Sequence, residues 1–183
     1  LSEYASSKVQ AEEYLQNSDA IIFRLGTLFG ISDEFSRIRL DLVVNILVTK
    51  ALTEGKLTVF GGEQWRPLLH VNDVANAINH TLEDGVTGIF NLHYKNFKII
   101  DIANEIIQKV PSAIIETTPM KFQDARNYQV SSEKLFNSTG FKAEVDLKSG
   151  IQEVFDLISN NRIKDVNHIR YSNQNYLKKY GIE

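Results

Sequence analysis

Cysteine is absent from this chain of 183 residues. Disulfides and thiolate metal sites are therefore excluded. The four histidines, His70, His80, His93 and His168, show no i, i+4 pairing, so no metal site is expected. No apolar run approaches the ~18 residues of a membrane span, and no basic segment leads into an apolar signal core near Leu1. A cytoplasmic protein without membrane association is the expectation. The ten glycines show neither G-x-G-x-x-G nor P-loop spacing, so no phosphate-cradling turn is present in the sequence. A net charge of −3 argues against a general nucleic-acid surface, while leaving room for a local basic pocket. Internal repeats and low-complexity tracts are missing too.

What is present is enough for a core, since 43% of the residues are hydrophobic. Residues 2–16 read as a helix with Tyr4, Lys8, Ala11 and Leu15 on one face and Ser2 and Glu3 at its start. Residues 20–25 have the β-branched content of a buried strand, and Gly26 to Gly30 reads as punctuation after it. Residues 32–39 are polar enough for a loop. A helix is expected from Asp41 to Glu54, closed by Gly55, then a strand from Leu57 to Phe60 and a turn at Gly61-Gly62. Leu68 to Val71 reads as a strand, with Asn72 capping a helix through Ala75, Ile78 and Leu82. A strand at 88–92, a helix at 99–110 and a strand at 113–117 follow. A brief extended piece at 128–130 precedes a short helix near Leu135, capped by Ser131 or Ser132 and closed by Gly140. A longer helix begins at Leu147, and beyond Asn161 a polar, basic tail is expected to form an appended surface helix. This order predicts an α/β architecture.

Candidate chemistry begins at Tyr4 and Lys8. Four residues apart on a helix, a phenol and an ammonium share one face and can reach one pocket. A tyrosine ordinarily has a pKa of roughly 10, so carrying protons at neutrality takes about 4 kcal/mol of phenolate stabilisation, for which a nearby cation is the natural source. Spacing alone is weak, because about half a chance match of Tyr-x-x-x-Lys is expected from this composition. Tyr94 and Lys98 supply an internal control with the same spacing in what reads as a polar turn.

Three ordered stretches make the first pair more specific: Tyr4-Ala5-Ser6-Ser7-Lys8, then Phe23 to Gly30 (FRLGTLFG), then Gln64 to Ala75 (QWRPLLHVNDVA). Together they resemble the extended short-chain dehydrogenase/reductase family, in its NAD-dependent epimerase/dehydratase branch acting on nucleotide-activated sugars. The resemblance runs from Leu1 to about Phe155. It implies a Rossmann-like cofactor domain ending near residue 31, a small α/β substrate-binding lobe across 32–160 interleaved with returning Rossmann elements, and a helical tail at 161–183. It also implies that the glycine-rich, N-terminal half of the family, with its NAD (or NADP) loop and a catalytic Ser/Thr, lies before Leu1; a first residue other than Met fits a fragment or a processed chain.

Position by position, the resemblance implies that Tyr4 is the acid/base and that Lys8 stabilises its phenolate and holds the nicotinamide ribose. Leu25, Gly26 and Thr27 match the strand end beside the nicotinamide, and Thr27 replaces a frequent asparagine that touches substrate. Gly30 is followed by Ile31 in place of a frequent proline. Asp41 and Leu42 match the helix start near the substrate diphosphate, with backbone N–H groups as the better phosphate donors because Asp41 is itself anionic. Thr58 and Phe60 match positions along the base, and Arg66 and Arg126 match two arginines on the diphosphate, where guanidiniums bind bidentately. His70 reads as a satisfied core histidine and Asp73 as a helix N-terminal charge.

The implied partner is a nucleotide-diphosphate sugar, oxidised and re-reduced through NAD during epimerisation or dehydration, with no nucleic acid and no metal. The intact protein is expected to be a homodimer. Two alternatives stay open: a nucleotide-sugar-binding or assembly module without catalysis, and a reductase of the same family acting on a non-sugar carbonyl.

Overall fold

The computed structural model describes residues 3–33, 36–82, 85–119 and 126–181. Ser2, and the Asp124 and Ala125 that lead into Arg126, lie outside the described residues. Along the chain run α1 (Glu3–Leu15), β1 (Ile21–Leu25), β2 (Thr27–Phe29), α2 (Val43–Glu54), β3 (Lys56–Phe60), β4 (Trp65–His70) and α3 (Val71–Leu82). They are followed by β5 (Gly88–Leu92), β6 (Lys95–Lys98), α4 (Ile99–Lys109), β7 (Ile114–Thr118), α5 (Glu133–Thr139), α6 (Leu147–Ser159) and α7 (Asn173–Tyr180), with a 3-10 turn at Ile169–Tyr171 before the last. The architecture is mixed α/β. β1 pairs in parallel with β5, β2 with β4 and β3 with β7, while β6 runs antiparallel to β4.

Strand β4 divides two cores. Successive residues of a strand face opposite sides, so Leu68 enters the larger core with Phe29, Val48, Ile102 and Ile151, whereas Leu69 enters the smaller one with Ala77, Phe90, Leu92 and Leu135. The larger core is built where α2, α4 and α6 pack together over the strands. Gly150 permits the close approach of α6, because a Cβ there would stand 2.4 Å from the Phe29 ring. Asp146 caps α6 by accepting a hydrogen bond from the Ser149 N–H at 2.8 Å, and that bond leads the forces that hold its carboxyl below the usual aspartate range.

Several expectations are corrected. The apolar stripe of α1 buries nothing: Val9, Tyr14 and Leu15 are exposed along with Tyr4. Apolar residues are scattered around this helix among Glu3, Lys8, Glu12 and Glu13, so no single face can seat itself. Strand β1 is half-buried, with Arg24 and Leu25 open to solvent. Residues 27–29, expected as part of a turn, form β2, so that Gly26 separates β1 from β2 and Gly30 ends β2.

Helix α2 begins at Val43, later than Asp41. Strand β4 starts at Trp65 and runs through Pro67, which sequence rules would keep out of a strand interior. There β4 is paired with β6 alone, since β2 joins it only from Leu68, and a missing N–H is tolerated. Asn72 is already inside α3, and its N–H donates to Nδ1 of His70 at 3.2 Å. Asp73 is buried and accepts from the N–H groups of Glu144 and Val145 at 3.2 and 3.0 Å, tying α3 to the approach of α6. No regular element forms at 128–130. The tail is more than an appendage: Ile163 and Leu157 are buried with Leu40, and Leu40 N–H donates to the Tyr171 carbonyl at 2.9 Å.

Candidate active site

Tyr4 and Lys8 lie together on α1, with the Lys8 Nζ 5.7 Å from the centroid of the Tyr4 ring. Tyr4 is 73% exposed. The phenol and the ammonium are therefore both presented outward, one helical turn apart, where a ligand could reach them. A bidentate ion pair of Glu12 with Arg24 ties α1 to β1, with an Nε–Oε2 distance of 2.8 Å. That pair, led by the side-chain hydrogen bond, holds the Glu12 carboxyl below its ordinary range and raises the guanidinium above its own.

The control pair behaves differently. Tyr94 and Lys98 bracket β6, an extended segment in which four residues span roughly 13 Å. Lys98 bonds to Glu63 at 2.7 Å, which raises its pKa, and has no part in a phenol–ammonium site.

After β1 the chain turns through Leu25, Gly26 and Thr27. Leu25 is exposed, while Gly26 is buried with its N–H on the Leu92 carbonyl at 2.8 Å. A Cβ at Gly26 would lie 3.0 Å from the Pro67 carbonyl and 3.2 Å from the His93 Cβ, so this stretch passes close over β4. Its position at the carboxyl end of paired parallel strands is where α/β sheets bind ligands.

At the end of β2, Gly30 has φ +86° and exchanges two hydrogen bonds with the buried Asn45 side chain, at 3.0 and 2.8 Å. Ile31 N–H donates to Glu153 at 3.1 Å, and the same carboxylate oxygen takes the Nε2 of fully buried His70 at 2.9 Å. Since Nδ1 of His70 accepts from Asn72, the proton sits on Nε2 and points to Glu153. His70 is thus a core histidine with both nitrogens partnered, as its apolar flanks predict.

Thr58 and Phe60 share the outer face of β3, and the Phe60 ring is 45% exposed. Arg66, by contrast, is only 4% exposed, and its Nη1 donates to the carbonyls of Trp65, at 2.8 Å, and of Arg126. The structure therefore brings Arg66 and Arg126 together through a guanidinium-to-carbonyl contact, with the Arg126 side chain exposed.

Asp41 and Leu42 lead into α2. Leu42 caps α2 in an extended conformation, and Asp41 accepts from Arg39 Nε at 2.9 Å and from the tail's Asn173 N–H at 2.8 Å. Burial pushes the Asp41 carboxyl up, but the Arg39 guanidinium and the Asn173 N–H outweigh it and leave the pKa below the ordinary value. A depressed folded pKa stabilises fully above the unfolded value of about 3.9 and is lost as pH falls through the lower folded one. Docking of α7 should weaken in that acidic window, and Asp41→Asn should weaken it at neutral pH by about 1 kcal/mol for a partly exposed charged hydrogen bond. Proteolysis within 165–173, followed against pH, checks both.

Sequence reading missed His93, which follows β5 directly. Its ring nitrogen Nδ1 lies 2.6 Å from Ser132 Oγ, and burial lowers its pKa. It borders a cavity of about 290 Å³ with Tyr94, Leu135, Phe136 and Phe141. Its placement after a strand at the carboxyl edge was the available signal. Among the described residues no cluster suits a metal ion, and no helix is long and apolar enough to cross a membrane.

Residues 1–93 match the family model described as the NAD-dependent epimerase/dehydratase family. The chain belongs to that family. Its fold recurs in an NAD-dependent NDP-hexosamine 5,6-dehydratase involved in tunicamycin biosynthesis (TM-score 0.74, 19% identity, 88% of this chain and 55% of that one). It recurs in dTDP-glucose 4,6-dehydratase from Bacillus anthracis, solved with NAD (0.68, 23% identity, 88% and 53%), and in ADP-L-glycero-D-manno-heptose-6-epimerase from Helicobacter pylori (0.71, 19% identity, 85% and 51%). This epimerase/dehydratase chain thus spans about half the length of the structures it matches.

Proposed function

We propose that these residues supply the proton-transferring pair and the substrate-binding part of an NAD-dependent epimerase or dehydratase acting on a nucleotide-diphosphate sugar. The observation that carries the reading is the solvent-facing Tyr4–Lys8 pair on α1, set in a chain of this family. Tyr4 would take the proton of a ring hydroxyl as hydride leaves the same carbon, and Lys8 would stabilise the resulting phenolate. When bound, NAD would accept that hydride and return it. Leu25, Gly26 and Thr27 would lie beside the cofactor's nicotinamide, on a backbone that Gly26 lets settle close against Pro67 and His93.

At the far end of the substrate, Thr58 and Phe60 would border the base, the ring of Phe60 offering a stacking face. Arg126 would meet the diphosphate, with Arg66 supporting it from below through the Arg126 carbonyl. The start of α2 at Leu42 would add backbone donors, while Asp41 anchors the tail. Binding energy gathered at this remote end places the sugar against Tyr4.

The deciding experiment uses the protein expressed from its complete reading frame, incubated with NAD and a panel of nucleotide-diphosphate hexoses, with products followed by NMR. Conversion of at least one sugar nucleotide is expected. Binding of a sugar nucleotide with no conversion would instead establish a binding module. No binding of any member would overturn the sugar-nucleotide assignment.

A further inference from the structure

Residues 126–132 form neither helix nor strand, yet β4, β5, β6 and the β5–β6 connection hold them at five residues, including Ser131, whose carbonyl accepts from Asn91 Nδ2 at 3.3 Å. Arg66 Nη1 donates to the Arg126 carbonyl, and Trp65 N–H donates to Asn127 Oδ1 at 3.0 Å. The Asn96 side chain takes the Val130 N–H on Oδ1 at 3.1 Å and donates from Nδ2 to the Val130 carbonyl at 3.0 Å. His93 N–H donates to Ser132 Oγ at 3.0 Å. Asn96 thereby offers Val130 the donor and acceptor that the backbone of an adjacent strand would offer, but from a side chain on β6.

We propose that Asn96 is a positioning residue that sets where Arg126 meets the diphosphate of the substrate, and so governs affinity for the nucleotide sugar. The inference rests on the assignment of Arg126 to the diphosphate made above. Its polarity is internally consistent. The two bonds to Val130 fix which end of the Asn96 amide is oxygen. Nδ2 then has a second hydrogen, directed at His93 Nε2 3.4 Å away, so Nε2 accepts and the ring proton sits on Nδ1, donating to Ser132 Oγ. Burial, which lowers the pKa of His93, favours the neutral ring that this arrangement requires. One amide therefore holds Val130 directly and Ser132 through His93, fixing the far end of the seven-residue segment whose near end carries Arg126.

The test compares Asn96→Ala, Asn96→Asp, Arg126→Ala and the double variant Asn96→Ala/Arg126→Ala in the protein expressed from its complete reading frame. Asn96→Ala should raise the KM for the nucleotide sugar about tenfold, corresponding to roughly 1.4 kcal/mol, with kcat and the KM for NAD within about twofold. Asn96→Asp, nearly the same shape but lacking the donor, should move KM in the same direction by less. The double variant should be no worse than Arg126→Ala alone, because both act through one contact. A uniform fall in kcat with both KM values raised would mean general structural damage and overturn the proposal, as would effects that multiply in the double variant. A raised KM in Arg126→Ala with an unchanged one in both Asn96 variants would overturn the proposal alone. An unchanged KM in Arg126→Ala would overturn the diphosphate assignment, and the proposal with it.

Discussion

Tyr4→Phe, in the protein expressed from its complete reading frame, is expected to lower kcat by roughly 10²–10⁴-fold, the usual contribution of a positioned proton donor and acceptor. Sugar-nucleotide affinity should stay within about twofold, since the binding residues lie elsewhere and only a hydroxyl is removed. The substitution is clean for structural reasons. Tyr4 is 73% exposed, and the aromatic face over which Lys8 sits is retained in phenylalanine. Stability should therefore change by less than about 0.5 kcal/mol, as for most surface replacements. A deuterium label on the reacting ring carbon adds a second readout: its transfer should slow together with turnover. Undiminished turnover in Tyr4→Phe would remove Tyr4 from the chemistry.

Gly30→Ala carries the largest expected stability effect. Two costs coincide there. The residue has φ +86°, a conformation that charges an L-residue about 1–3 kcal/mol. The added Cβ would also stand 2.0 Å from Nε2 of His70, in the path of the bond to Glu153. Overpacking of a tight core costs about 1–3 kcal/mol more. Taken together, about 2–6 kcal/mol is comparable with the whole stability of a small domain. The denaturation midpoint should drop sharply, or the protein should fail to accumulate. The damage is not confined to the core, because Asn45 and Glu153 hold the backbone of Gly30 and Ile31 as the chain leaves β2 for the segment that enters α2. A denaturant midpoint unchanged from the parent would contradict this account.

Local features were the legible ones. Helices α2, α4 and α6 repeat apolar residues at helical intervals and end on recognisable signals such as Gly55, and Tyr4 with Lys8 needed only the pitch of one helix. The family motifs were contiguous stretches as well. Strand β6 was not legible, since Phe97 is the one apolar residue among Lys95, Asn96, Phe97 and Lys98, and extended structure arises there through pairing with β4. β4 itself was cut short because Pro67 argues against a strand unless the pairing on each side is known. Asn96 with Val130 and His93 with Ser132 join residues 34 and 39 apart in sequence, a distance no periodicity reports. Arg66 was legible as a motif member, but its burial beneath the Arg126 carbonyl depends on a segment 60 residues further along the chain.

Helix α1 bears Tyr4 and Lys8 without burying a side chain. Thirteen residues are near the length at which a helix in water only balances its nucleation cost, and tertiary burial normally supplies the rest. Its backbone amides should therefore exchange with solvent hydrogen well before those of α2, which buries six residues. Added salt, by screening Glu12 from Arg24, should hasten that exchange selectively. For the residues of this chain taken alone, the Tyr4–Lys8 arrangement should last only as long as α1 stays wound beside β1.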